Sequence, residues 1–185
     1  MVARAELRTR MRLLLVGIVL VGLVAAVGCG PSSSSSATSA SGVPGAVCQQ
    51  VGSVNFDKTK FVLHAGLAFG AFHHFIYAPY KAGGLHGFAA LAKAGLAGLF
   101  TVHELKLAKA DAESSPTLCH LAAPFDKAGA AVSGSISKIK SGRASSQDIE
   151  GMNNDVNAVQ RGAQADGVPA PDQVPSEAQL ASGGN

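Results

Sequence analysis

Hydrophobic and polar positions change their rhythm several times along this chain, and each change marks an element. From Phe61 to Tyr80 it reads FVLHAGLAFGAFHHFIYAPY, 20 residues without Asp, Glu, Lys or Arg. At about 100° per residue, Phe61, Ala65, Ala68, Phe72, Phe75 and Ile76 gather on one side of a helix, with Leu63, Gly66, Gly70 and Tyr77 on the other. No side is polar. Asp57 supplies the N-cap and Pro79 disfavours a helical residue before it, which predicts a first helix from Asp57 to about Ala78. Ala82-Gly83-Gly84 makes a turn, and a second helix is expected from about Leu85 to Ala112, with only Lys93 and Glu104 as a narrow polar edge. Ser115-Pro116 reads as the cap and first position of a third helix, which Pro124 should kink or restart before Ile139. A fourth, starting at Ser146, places Ile149, Met152, Val156, Val159 and Ala163 on one stripe, as an amphipathic surface helix does. No stretch alternates with period two, so the fold class is all-α, a small bundle of about four helices.

The first two helices pose a packing problem. A helix apolar all round is buried on every side or lies in lipid, and a four-helix body has little room to enclose two of them. Phe61, Phe69, Phe72, Phe75 and Ile76, with Leu96 and Phe100 on the second helix, are therefore the candidates for an interaction surface, facing a protein partner or another copy. Gly66-x-x-x-Gly70 and Ala94-x-x-x-Gly98 have the small-residue spacing that lets backbones approach closely, and the Gly66/Gly70 groove is expected to receive the second helix. The run from Phe61 has the length of a membrane span, about 20 residues, but its histidines and glycines make insertion marginal. A membrane-inserting helical hairpin stands as an alternative.

At the N-terminus, Arg4, Arg8, Arg10 and Arg12 precede an apolar stretch from Leu13 to Val27, the order of an export signal. The stretch ends in Ala26-Val27-Gly28-Cys29, which resembles the lipobox of bacterial lipoprotein precursors. That resemblance covers only about the first thirty residues. It implies cleavage before Cys29, acylation of the Cys29 sulfur, and a protein held on the cell membrane by its N-terminal lipid, facing outside the cytoplasm. On this reading residues 1–28 are a cleaved signal peptide and residues 29–47, rich in Ser, Gly, Pro and Ala, a flexible linker. Residues 48–166 form the helical domain. Residues 167–185, with Pro169, Pro171 and Pro175, are expected to be a disordered tail.

Processing changes the charge. The chain has 15 basic and 12 acidic residues, and without the four Arg and one Glu of the leader it has 11 of each. A neutral body lacks the basic stripe of a nucleic-acid binder, and that class is set aside. With Cys29 acylated, Cys48 and Cys119 remain in an oxidising compartment, where a disulfide between them is expected.

All six histidines fall between His64 and His120. A helical metal pair needs ligands one turn apart, whereas His73 and His74 are adjacent and diverge by about 100°. Only a grouping of His73, His74 and His86 across the turn offers weak candidates, so no metal or cofactor is assigned. A His-based metal or haem binding protein is kept as an alternative. His103-Glu104 opens like the zinc-protease pattern, but Leu107 stands where the second His belongs. Ser135 and Lys138 match S-x-x-K without its companion motifs. With no catalytic motif, the expected role is a non-catalytic binding or structural module at the cell surface.

Overall fold

The computed structural model describes residues 57–183, and among them there is no strand. Helix α1 runs Lys58–Lys81, α2 Phe88–Glu113, α3 Ala122–Lys140 after a 3-10 turn at Cys119–Leu121, α4 Ser146–Ala165, and a short α5 Glu177–Ser182. The first four run alternately up and down. His64 of α1 meets Glu104 of α2, Lys109 of α2 meets Asp126 of α3, and Lys127 of α3 meets Asp155 of α4. Tyr77 donates to Glu150, returning α4 to α1 and closing the ring. This is the all-α bundle that the helical periodicities predict.

The helix ends follow local chemistry. Asp57 caps α1 by accepting from the backbone N–H groups of Thr59 and Lys60. Ser145 and Asp148 form a reciprocal capping box at α4, one residue before the expected start. Helix α1 does not stop at Ala78. It passes through a π-helical turn at His73–Tyr77 and continues over Ala78–Lys81. In a regular helix the Pro79 ring would clash with the carbonyl four residues back; the widened turn, in which the Ala78 N–H reaches His73 O, accommodates it. Gly83, at φ 67, then closes the helix, with Gly84 N–H bonded to Pro79 O at 2.8 Å. Helix α2 begins at Phe88 rather than Leu85, because Gly87 takes φ 82 and breaks the helical path. The third helix does not open at Ser115-Pro116, where Ser115 Oγ caps only a turn by accepting from the Thr117 and Leu118 N–H groups; α3 starts at Ala122, with Pro124 in its first turn, where its missing N–H has no helical partner to lose.

The core joins all four long helices. Phe61, Phe69, Phe72 and Ile76 of α1 pack with Leu105 of α2, Phe125, Val132 and Ile139 of α3, and Ile149, Met152 and Val156 of α4. Phe61 and Phe125 meet edge to face, with centroids 6.1 Å apart. The interaction surface expected from sequence is thereby corrected. Phe61, Phe69, Phe72, Ile76 and Phe100 are buried, Phe75 is half-buried and only Leu96 is exposed.

The tail supplies the missing cover. Residues 168–183 are packed on the bundle, with Val168, Ala170 and Leu180 buried, instead of forming the expected disordered tail. A turn at Gly167, with Val168 N–H bonded to Ala163 O, sends the chain back along α1. Gln173 N–H then donates to Gly66 O at 2.8 Å. The groove of Gly66 and Gly70 thus receives the tail backbone rather than α2: a Cβ at Gly66 would lie 2.7 Å from Pro171 O, and one at Gly70 would strike the Gln173 carbonyl. Prolines at 169, 171 and 175 hold the segment extended at reduced entropic cost, which suits a length of chain laid in a shallow groove.

Candidate functional site: a cleft and an apolar face at the α1–α2 turn

The π turn rotates α1 so that His73, His74 and Phe75 take three different environments. His73 Nδ1 lies 2.7 Å from Asp172 Oδ2, and Gln160 Nε2 donates to the other Asp172 oxygen at 2.9 Å, so this histidine fastens the tail. His74 is exposed, its ring edge-on to Phe75 with centroids 4.7 Å apart. Phe75 is half-buried, and the Lys93 ammonium sits 5.1 Å from its ring centroid. Together with Pro79, Leu85 and Ala90, these residues line a cleft of about 250 Å³ between the end of α1 and the start of α2. Its walls are largely apolar, with an imidazole and an ammonium at the edge. Lys93 is held by Glu177 of α5 at 2.7 Å. The lysine keeps the Glu177 carboxyl below its usual range.

Beside the cleft stands Phe88, 90% exposed. Leu96 and Leu99 are 44% and 37% exposed. At 100° per residue Phe88, Ala92, Leu96, Leu99 and His103 share one face of α2. Sequence reasoning passed over Phe88 and Leu99, since an all-round apolar helix gives no sign of which side its neighbours will cover. A phenylalanine placed directly after the Gly-rich turn was the available signal.

The predicted metal candidates are not gathered. His73 is committed to Asp172, and His74 and His86 are exposed. Among the described residues no three His, Cys, Asp or Glu side chains are arranged to hold a metal ion. His64 is instead paired, its Nδ1 2.6 Å from the buried carboxylate of Glu104. That pair directs Glu104 into the bundle while His103 is exposed. Ser135 is buried, and Lys138 is bound to Asp148 at 2.6 Å, so the S-x-x-K residues serve packing and a helix start.

Cys119 is buried and disulfide-bonded. Its partner lies outside the described residues, as do Cys29, Cys48, the signal peptide and the linker. Comparison with protein-family models, with curated proteins and with solved structures found no match.

Proposed function

We propose that this chain is an exported protein, acylated at Cys29, whose helical body serves as a non-catalytic binding module on the outer face of the cell membrane. The basic leader, the apolar stretch and the Ala26-Val27-Gly28-Cys29 box support the anchoring. The observation that carries the binding role is the end of the bundle at the α1–α2 turn. Among the described residues Phe88, at the start of α2, is the most exposed large apolar side chain, at 90%, and Leu96 and Leu99 are partly exposed further along the same helix. Apolar surface left uncovered in this way marks a contact. Cys48 is the proposed partner of Cys119, a cross-link that would tie the linker end of the chain to the start of α3.

A hairpin of α1 and α2 crossing the bilayer is less favoured. Both helices have the length and composition of a span, but α1 is enclosed by α2, α4 and the tail, and insertion would strip those contacts away.

The test is membrane fractionation and intact-mass measurement on cells making the full chain, with and without globomycin, beside Cys29→Ala. The anchored reading expects membrane-bound protein carrying acyl mass, and accumulation of the unprocessed precursor with either treatment. Protein of unmodified mass released as soluble material from untreated cells overturns it.

A further inference from the structure

Between Lys81 and Ala110 the only acidic residue is Glu104, and it is turned inward against His64. The outward face of α2 therefore carries Phe88, Ala92, Leu96 and Leu99 with no carboxylate of its own. Its borders are cationic. Lys140, at the end of α3, lays its aliphatic stem across α2 at Gly95, where an added Cβ would be 2.5 Å from Lys140 Cγ. The next loop rests on Leu91 through Gly142, which brings Arg143 to the same end of the bundle. Lys106 is exposed one turn beyond His103 on the face itself. Other elements bring three carboxylates to this end, and each is already matched: Glu150 to Lys81, Glu177 to Lys93 and Asp148 to Lys138. Lys106, Lys140 and Arg143 have no ion pair among the described residues.

We infer that this face of α2 is an interfacial membrane contact, which lies on a bilayer containing anionic phospholipid with Phe88, Leu96 and Leu99 turned into the acyl boundary. The chemistry is that of an amphipathic helix at an interface: apolar side chains enter the headgroup layer, and lysines border them with their stems in the apolar zone and their ammonium groups at phosphate level. Lysine and arginine near an anionic leaflet add attraction of about 1 kcal/mol each. The inference rests on the anchoring proposed above. From Cys29 to Asp57 the chain is at most about 100 Å long even fully extended, so an acylated protein keeps this face within reach of lipid at high effective concentration.

The chain contains no tryptophan, so a single introduced one reports on its own surroundings. Phe88→Trp, Leu99→Trp and, on the exposed side of α3, Ala130→Trp would be made in the full chain. Each would be mixed with vesicles of phosphatidylcholine alone, or of phosphatidylcholine and phosphatidylglycerol in equal parts, with and without acyl-brominated lipid. The expected result is blue-shifted emission, quenched by bromolipid, for F88W and L99W on the anionic vesicles, and water-like unquenched emission for A130W. Adding Lys140→Gln and Arg143→Gln should reduce the quenching on anionic vesicles and leave it unchanged on phosphatidylcholine. Water-like, unquenched F88W and L99W in protein that floats with the vesicles overturns the inference while leaving the anchor intact. So does a blue shift that needs no vesicles and grows with protein concentration, since a second copy would then cover the face. If Cys29 proves unacylated but quenching at F88W and L99W persists, the anchor reading falls and the contact stands.

Discussion

The amide of Gln173 donates to the carbonyl of Gly66 across 2.8 Å, joining the extended C-terminal segment to the middle of the most apolar helix in the body. Two glycines one turn apart make room for it. Replacing Gly70 by Ala puts a methyl group where the Gln173 carbonyl lies, and the rigid backbone on both sides leaves the tail to move. Gly70→Ala is expected to cost about 1–3 kcal/mol, the range of an overpacked core, and to open residues 168–176 to protease. Gly134→Ala is the matched control. Nothing lies within 4 Å of a Cβ there, and in a helix interior the change should stabilise by about 0.5–1 kcal/mol. Urea unfolding and limited proteolysis read both; a tail that stays protected in Gly70→Ala would show that the groove does not hold it.

His64 and Glu104 form a partly buried pair 2.6 Å apart, linking α1 to α2. Removing one member leaves the other without its partner, and Glu104→Ala is expected to cost about 1–3 kcal/mol. Replacing both by leucine exchanges the pair for apolar packing and should recover most of that loss. A double-mutant cycle in urea checks the coupling.

Two aspartates should respond oppositely to pH. The Lys138 ammonium, with the Ser145 hydroxyl and amide, holds the Asp148 carboxyl well below the usual carboxylate range. A depressed carboxyl contributes stability above its unfolded value and loses it as pH falls through the folded one. Asp148→Asn is therefore expected to lower the melting temperature at neutral pH and to flatten the decline in the acid limb below about pH 4. Burial raises Asp111, and the attraction of His64 and Lys60 only partly offsets it. One Asp111 oxygen is buried without a hydrogen-bond partner. For this group the stabilising form is the protonated one, present at acid pH and lost as pH rises through the raised value. Asp111→Asn should raise the melting temperature at neutral pH and have little effect in acid. Melting curves of both variants from acid to neutral pH decide the signs.

Reducing the disulfide at Cys119 should destabilise the body by about 2–4 kcal/mol, as removal of a long-loop cross-link does. Non-reducing peptide mapping is expected to recover Cys119 joined to the peptide that contains Cys48. A Cys119–Cys29 peptide would refute both that pairing and acylation at Cys29.

How much of this was legible beforehand differs from element to element. The stripe of Ile149, Met152, Val156, Val159 and Ala163 faces the core of α4 as its period requires, because a helix with one apolar side has only one stable orientation. The caps at Asp57 and Ala82-Gly83-Gly84 were readable for an equally local reason: they depend on one or two residues and their own backbone. Helix α1 offered no such guide. With apolar residues on every side, its periodicity could not say which would face α2, α4, the tail or solvent. Four of the phenylalanines chosen as a contact surface, Phe61, Phe69, Phe72 and Phe100, are consequently core, Phe75 is half-buried, and Phe88, overlooked, is the bare one.

The tail carries the same lesson with the opposite sign. Three prolines in 19 residues, closing on Ser-Gly-Gly-Asn, have the composition of a segment that cannot form its own core. That much is true of it in isolation. Its order comes from hydrogen bonds and apolar contacts on another element, the groove at Gly66 and Gly70, about a hundred residues away in sequence.

The sequence by itself determined the helical class, the turn at Ala82-Gly83-Gly84 and the cap at Asp57, since each rests on periodicity or on side chains within a few residues. Tertiary structure alone decided which apolar side chains are enclosed, that the tail fills the glycine groove, and that Phe88, Leu96 and Leu99 remain on the surface. Burial is a property of neighbours: a side chain leaves water only when another element arrives to cover it, and in a helix without a polar face nothing in the local pattern says from which side that element will come.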